Sequence, residues 1–172
     1  MKKLIALVAA ALIGISAFGQ DWYIGGKVGF GAAEGMDAGF AFAPDFGYCL
    51  SDELNVGIIL GYGTKNAGLS GLDGFVPGEV SWEVCPYLRY IPFSWGNVSF
   101  FLDSCLDLYG GKDYAGDTYT GFALCFNPGL SLELTDRISV DFTLGLLNYD
   151  FTESIFSLNA GALSSIGFFY AF

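Results

Sequence analysis

The sequence predicts an all-β fold, an eight-stranded antiparallel up-and-down transmembrane β-barrel, and three observations predict it. Apolar and polar residues alternate in eight segments, which places the two kinds of side chain on opposite faces of each strand. The mean hydropathy is +0.49, although no segment beyond residue 19 is long enough for a membrane helix. An every-second-residue apolar series closes the chain: Ile166, Phe168, Tyr170 and Phe172.

The first segment is typical of a secretory signal. Two lysines precede an apolar run that ends near Ile15, and Ala17-Phe18-Gly19 forms a small-x-small cleavage motif. The run is shorter than the ~20 apolar residues that a membrane helix needs. We therefore expect residues 1–19 to be removed and residues 20–172 to form a single barrel domain.

Turn and loop signals divide the rest of the chain into eight predicted strands. Their predicted ranges are 22–33, 38–50, 54–65, 80–93, 98–110, 119–134, 138–150 and 158–172. Along all eight, even-numbered positions carry apolar and aromatic residues, and odd-numbered positions carry most of the charged ones. The predicted periplasmic turns are 51–53, 94–97 and 135–137, and the predicted surface loops are 33–37, 66–79, 111–118 and 151–157.

Alternation alone does not say which face of the sheet is inward. A soluble lipocalin-like barrel has its apolar face inside, whereas an outer-membrane barrel has its apolar face outside. The signal segment, the terminal aromatic series and the size of the apolar face favour the membrane version. In lipid every backbone group must be paired, so the sheet is expected to close.

Three prolines recur 42 residues apart, each on a strand that leads to a predicted short turn: Pro44, Pro86 and Pro128. Proline cannot donate a ladder hydrogen bond, and inside a sheet it usually marks an edge or a bulge. A closed barrel has no edge. Three bulges at a similar height are therefore expected. Curvature of a small barrel is the favoured reason for them, and re-aimed inward side chains are the alternative.

In these segments the chain resembles the small outer-membrane β-barrel domain family, often described as porin-family or outer-membrane β-barrel proteins. The matching segments are 44–48 with 52–57, 86–90, 136–145 and 167–172. The architecture is similar to that of the outer membrane protein A and X barrels. The resemblance implies a bacterial outer-membrane location, with outer-membrane lipids, periplasmic chaperones and the barrel-assembly machinery as partners. It also implies that Ile166, Phe168, Tyr170 and Phe172 act as the assembly signal.

An eight-stranded barrel encloses an interior that side chains just fill. Because an unpaired buried charge is costly, we expect the inward charged residues to pair in a network. The predicted members are Lys27, Glu83, Arg89, Asp103, Asp107, Glu133 and Asp141, with Lys65 as a further candidate. A water-filled pathway for small ions is the alternative.

All four cysteines have the inward parity: Cys49, Cys85, Cys105 and Cys125. If the hairpins centre near Trp95 and Ala115, Cys85 faces Cys105, Cys105 faces Cys125, and three thiols form one row. One disulfide and inert lumen fillers both stay open as interpretations. A metal site is not expected, because the chain has no histidine and no CxxC spacing.

Composition narrows the function. Removing two lysines with the signal leaves 5 basic and 18 acidic residues, a net charge of −13, so nucleic-acid binding is not expected. Without histidine there is no obvious general base at neutral pH, so no enzymatic activity and no cofactor are expected. The sequence predicts a monomeric outer-membrane barrel with a structural or surface-interaction role. A narrow passive channel and a secreted lipocalin-like binder are the alternatives.

Overall fold

Eight β-strands form where the sequence alternates between apolar and polar residues. The computed structural model describes residues 21–31, 39–64, 78–113 and 115–172, with side chains described except at 29–31, 78–79, 144–146 and 159–165. The strands are β1 (Trp22–Gly31), β2 (Gly39–Ser51), β3 (Leu54–Thr64), β4 (Gly78–Trp95), β5 (Val98–Asp113), β6 (Thr118–Thr135), β7 (Ile138–Asp150) and β8 (Ile155–Ala171). The predicted signal segment, Lys65 and most of the predicted loops 33–37 and 66–79 lie outside the described residues.

The strands pair in sequence order and close into a barrel, as predicted. Every neighbouring pair is antiparallel, and β1 meets β8 through five register pairs, from Tyr23 with Ala171 to Lys27 with Gly167. Among the described residues, no helix is long and apolar enough to cross a membrane.

Three two-residue turns lie at one end of the barrel, which we call the short-turn end. They are residues 52–53, 96–97 and 136–137, close to the predicted positions. At the opposite end, β5 and β6 are longer than predicted and leave only residues 114–117 between them, so the predicted loop 111–118 was too long. The turn is held by Asp113, whose carboxylate accepts a hydrogen bond from the Asp117 amide at 2.8 Å.

The structure places the charged face inside and the apolar face outside. Asp45, Arg89, Asp103 and Asp141 are buried, whereas the even-numbered apolar side chains that flank them on the same strands are mostly half-buried or exposed. This arrangement is opposite to that of a soluble lipocalin-like barrel.

The predicted parity does not hold along the whole chain. A register shift between Tyr90 and Phe93 moves the end of β4 by one position, so Phe93 and Trp95 point outward, 63% and 91% exposed. In β7, Asn148 is buried and Tyr149 is exposed, again the reverse of the predicted parity. Both changes follow from the period of two, because one extra residue in a strand exchanges its two faces.

The three prolines do not produce three bulges. The β2–β3 and β4–β5 registers continue unchanged past Pro44 and Pro86, and only the β6–β7 register shifts, between Phe126 and Gly129, around Pro128. The missing amide hydrogen therefore removes a ladder bond without forcing an extra residue into β2 or β4.

Candidate functional site in the barrel lumen

Arg89 is the centre of the lumen. It lies on β4 directly opposite Asp103 on β5, and its guanidinium donates to both Asp103 carboxylate oxygens, from Nε at 2.7 Å and from Nη2 at 2.9 Å. Its Nη1 crosses the barrel to the Asp141 carboxylate on β7 at 2.5 Å. Planar two-point pairing of this kind is the strongest ion-pair geometry that proteins use. One arginine thereby links β4, β5 and β7.

Aromatic rings enclose the Arg89 guanidinium. Its central carbon lies 3.9 Å from the centroid of the Phe101 ring, and the Tyr87 and Phe169 rings are each 5.8 Å away. A guanidinium over an aromatic face is favourable by ~0.5–2 kcal/mol, towards the upper value where water is excluded. The rings replace water around the cation and leave Asp103 and Asp141 as its ionic partners.

A second chain of hydrogen bonds runs beside the arginine. The Tyr87 hydroxyl donates to the Asp45 carboxylate at 2.8 Å, and the Tyr23 and Tyr87 hydroxyls share a hydrogen bond of 2.6 Å. All three residues are buried. Tyr87, Asp45 and Tyr23 lie on β4, β2 and β1. These hydrogen bonds therefore connect β4 to the strands near the place where β1 meets β8.

Six bulky inward side chains among the described residues each lie opposite an inward glycine on a neighbouring strand. The Cα pairs are Tyr23 with Gly47, Phe169 with Gly25, Tyr87 with Gly57, Phe101 with Gly129, Tyr109 with Gly121 and Glu83 with Gly61. A Cβ added at any of these glycines would lie 2.0–2.5 Å from the facing side chain. The glycines therefore make the room in which these large side chains cover the lumen.

We call this assembly the lumen plug: Tyr23, Asp45, Tyr87, Arg89, Phe101, Asp103, Asp141 and Phe169. Between the plug and the short-turn end lies a cavity of about 450 Å³, which we call the vestibule. Arg89, Phe101 and Phe169 contribute to its wall, as do the turn residues Asp52 and Asp136. The plug thus forms the inner boundary of this cavity.

Glu133 does not join the predicted network. It lies exposed at the vestibule rim, where its backbone amide donates to the Asn97 carbonyl at 2.8 Å. On the same rim Arg137 donates to the Tyr170 hydroxyl at 3.3 Å, and this hydrogen bond raises the pKa of Arg137 above its ordinary value. The half-buried Cys49 also lines the vestibule, on β2, whereas the other cysteines lie on β4, β5 and β6.

The other predicted network residues lie in the lumen outside the plug. Glu83 and Asp107 are buried on β4 and β5, and Lys27 is half-buried on β1 with its side-chain stem near Gly167. Arg89 makes both of the ion pairs described for the residues of the lumen. One oxygen each of Asp107, Asp141 and the Asn127 amide has no hydrogen-bond partner among the described residues.

The three remaining cysteines form a row in the lumen, and all are free thiols. Cys105 and Cys125 are Cα partners across β5 and β6, as the sequence predicted. Cys85 was expected to face Cys105, but Tyr87 is the Cα partner of Cys105, so Cys85 is displaced by two residues. The β4–β5 hairpin centres between Gly96 and Asn97 and contains a bulge, which accounts for the displacement.

Sequence reasoning missed five of the eight plug residues. Asp45 has the inward parity, and so do the four aromatic residues Tyr23, Tyr87, Phe101 and Phe169. The available signal was an aromatic residue at an odd position, combined with an odd-numbered glycine on the neighbouring strand. No group of three metal-ligating side chains suited to an ion occurs in the described part of the chain.

The arrangement supports a barrier better than a reaction. Arg89 is already held by two carboxylates, and the tyrosine hydroxyls are occupied with each other and with Asp45. None of these groups is presented to a substrate-sized space as a free nucleophile or base. What the geometry does provide is a cross-linked partition across the lumen.

Comparison with protein-family models found no match, and comparison with curated proteins found none either. Among solved structures, the crystal structure of Neisserial surface protein A (NspA) is similar, with 15% sequence identity and a TM-score of 0.50 over 87% of this chain and 92% of that chain. At this identity the likeness concerns the fold, and membership of the porin family stays a prediction. Together with the closed eight-stranded barrel, it assigns the chain to the outer-membrane β-barrel type of fold.

Proposed function

We propose that this chain is an integral protein of the bacterial outer membrane with a structural or surface-interaction role, its lumen closed by the plug. The observation that carries the proposal is the apolar outer surface. Large apolar side chains are exposed on all eight strands, among them Val28, Phe42, Leu60, Leu88, Leu108, Phe122, Ile138 and Phe168. Soluble monomers rarely expose a continuous apolar surface of this extent.

Charged side chains lie inside this barrel and apolar ones lie outside, the reverse of a soluble protein. This distribution supports lipid hydrocarbon as the surroundings of the outer face. Asp45, Asp107 and Asp141 are at most 2% exposed, whereas Leu158 and Phe168 are at least 60% exposed. In water, each Å² of exposed apolar surface would cost about 25 cal/mol of free energy, and the buried charged groups would lose their hydration as well. A bilayer removes the first cost, and the closed hydrogen-bonded sheet satisfies the backbone within it.

Aromatic clusters at the two ends of the outer face fit the same placement. Phe93 stacks on Phe100 near the short-turn end, with ring centroids 5.2 Å apart. Phe151 stacks on Phe122 at the opposite end at 4.9 Å, and Tyr149 meets Phe151 edge-on. Aromatic residues in two girdles are typical of the membrane–water interfaces of such barrels.

The proposal includes the partners that this placement requires. Outer-membrane lipids cover the apolar face, and periplasmic chaperones and the barrel-assembly machinery deliver the chain. Ile166, Phe168 and Tyr170 lie exposed on the outer face of β8, where Phe172 meets Tyr170 edge-on at 5.2 Å, so the series is accessible to such machinery. The barrel acts as a monomer without catalytic activity.

Fractionation of cells that express the full chain tests the placement. We expect the protein in the outer-membrane fraction, resistant to alkaline extraction, with faster gel migration before heating than after. The heat shift reports the closed barrel, and the fractionation reports its location. Recovery as a soluble periplasmic protein would refute the proposal.

A narrow channel is the second candidate, and the vestibule is the observation that favours it. A cavity of about 450 Å³ at the short-turn end reaches Arg89, so the plug is the barrier next to a space that can hold water. Planar-bilayer recordings distinguish the two functions. The plug predicts no sustained conductance from the folded protein, whereas uniform long openings would establish the channel and reject the closed lumen.

A further inference from the structure

The thiol row contains one pair with the backbone geometry of a disulfide. Cys105 and Cys125 are directly opposed, and the register is continuous on both sides, from Asp103 with Asn127 to Asp107 with Ala123. Opposed residues of antiparallel strands have Cα atoms about 4.5 or 5.5 Å apart. Disulfides usually span about 4.4–6.8 Å between Cα atoms. The Cα separation expected for the pair therefore lies within the range that a disulfide spans.

The other pairings do not meet this requirement. Cys85 is diagonal to Cys105, and diagonal neighbours lie about 7–8 Å apart. Cys85 and Cys125 are separated by the whole of β5, which places their strands roughly 10 Å apart. Cys49 lines the vestibule on β2. Of the four cysteines, Cys105 and Cys125 alone form a directly opposed pair.

Both sulfurs are thiols in the structure and lie inside the barrel. Cys105 donates to the backbone carbonyl of Cys125 at 3.7 Å, and Cys125 donates to the Asn148 side-chain oxygen at 3.7 Å, so a bridge would replace both hydrogen bonds. Cys105 and Cys125 are 3% and 0% exposed. Once formed, a bond between them would be shielded from reductants outside the barrel.

We propose that Cys105 and Cys125 form a cross-strand disulfide during export, and that Cys49 and Cys85 stay thiols. The inference rests on the proposed placement in the cell envelope, because the bond needs an oxidising compartment. The two thiols lose two protons and two electrons as the sulfur–sulfur bond forms. The oxidant is a disulfide-bearing exchange protein, which accepts both and leaves as a dithiol. Because the closed barrel buries both sulfurs, the exchange precedes closure.

The bond would act on assembly. Register in a strand pair is set by the hydrophobic pattern and by turn geometry, and a slip by one residue exchanges the two faces. A covalent link between opposed residues fixes the β5–β6 register while the rest of the sheet is still unpaired. The hairpin would then reach the membrane with its apolar face already defined.

Trypsin separates all four cysteines, which makes the bond directly measurable. Cleavage after Lys65, Arg89, Lys112 and Arg137 puts Cys105 in peptide 90–112 and Cys125 in peptide 113–137. The folded protein is taken from envelopes, denatured with an alkylating reagent and digested without reductant. We expect a linked pair of these peptides, lighter than their sum by two hydrogens, and two alkylated thiols per chain, rising to four after reduction.

Matched variants and the location assay separate the possible outcomes. Cys85→Ser and Cys49→Ser should keep the linked peptides, Cys105→Ser should leave three thiols, and cells without the exchange oxidant should yield four. If Cys105→Ser does not fold, the map of the unaltered chain still decides. Four thiols in a barrel recovered from the outer membrane, or a link through peptide 66–89, overturns the disulfide. A linked pair in soluble periplasmic protein supports the disulfide and rejects the proposed function.

Discussion

Phe101 and Gly129 face each other across β5 and β6, and a Cβ placed on Gly129 would lie 2.1 Å from the tip of the Phe101 ring. The ring cannot retreat towards the barrel axis, because the Arg89 guanidinium is 3.9 Å from its centroid. The position of the Phe101 ring against the arginine therefore requires a glycine at position 129. This relationship connects the backbone of β6 to the charged centre of the plug.

The first prediction concerns this contact. Gly129→Ala should destabilise the barrel by ~1–3 kcal/mol, the usual cost of overpacking. The measurement is unfolding by urea in detergent or lipid vesicles. The double variant with Phe101→Leu, which removes the ring tip, should recover part of the loss. If the loss of stability in the double variant equals the sum of the losses in the two single variants, the two side chains do not interact.

The second prediction concerns Arg89. Arg89→Met should cost ~3–5 kcal/mol, because it leaves the buried Asp103 and Asp141 carboxylates without their cation. Urea unfolding is again the measurement. Arg137→Met, which removes an exposed arginine from a turn, is the control and should leave the unfolding midpoint unchanged. Similar midpoints for both variants would contradict the central position of Arg89.

The third prediction concerns the tyrosine chain. Tyr87→Phe removes the hydroxyl that donates to Asp45 and bonds Tyr23, and should cost ~1–3 kcal/mol by leaving buried polar groups unpaired. Tyr90→Phe makes the same chemical change on an exposed outward residue three positions along β4. Its effect on urea unfolding should be near zero. A cost at Tyr90 equal to that at Tyr87 would count against the inward hydrogen-bond chain.

The fourth prediction concerns the terminal series. Phe172→Ala should reduce the yield of heat-modifiable barrel in the outer membrane several-fold, while the molecules that do assemble keep their urea midpoint. The reason is that Phe172 is the last member of the proposed assembly signal. The ring contact described for Phe172 is with Tyr170, which belongs to the same series. Phe93→Ala, at a more exposed aromatic position away from β8, serves as the control. A loss of stability with unchanged yield would assign Phe172 a packing role instead.

Much of the plug could not be predicted because its residues meet across strands. Arg89 and Asp103 were both expected inside, and their pairing follows from the β4–β5 register. Glu133 was expected beside them, but its position near the end of β6 leaves it in the vestibule rim. Parity gives the side of the sheet on which a residue lies. It does not give the height within the barrel.

The row of cysteines shows that the register between neighbouring strands could be predicted only in part. The β5–β6 turn was placed well enough to oppose Cys105 and Cys125. The β4–β5 turn lies between Gly96 and Asn97 rather than at Trp95, and this shift, partly offset by a bulge near the end of β4, displaced Cys85 by two residues. A bulge has no periodic signature in the sequence, since it is a single extra residue inside an otherwise alternating strand.

The sequence by itself determined the number of strands, their approximate ends, the closed antiparallel order and the two faces of the sheet. The strands and their faces follow from local alternation and turn residues, which act over a few positions of the chain. Closure follows from the need to pair every backbone group in lipid. The tertiary structure alone decided which inward residues meet, such as Arg89 with Asp141 and Tyr23 with Tyr87. Those contacts depend on register, bulges and the curvature of the closed sheet, and these are fixed only when all eight strands are in place.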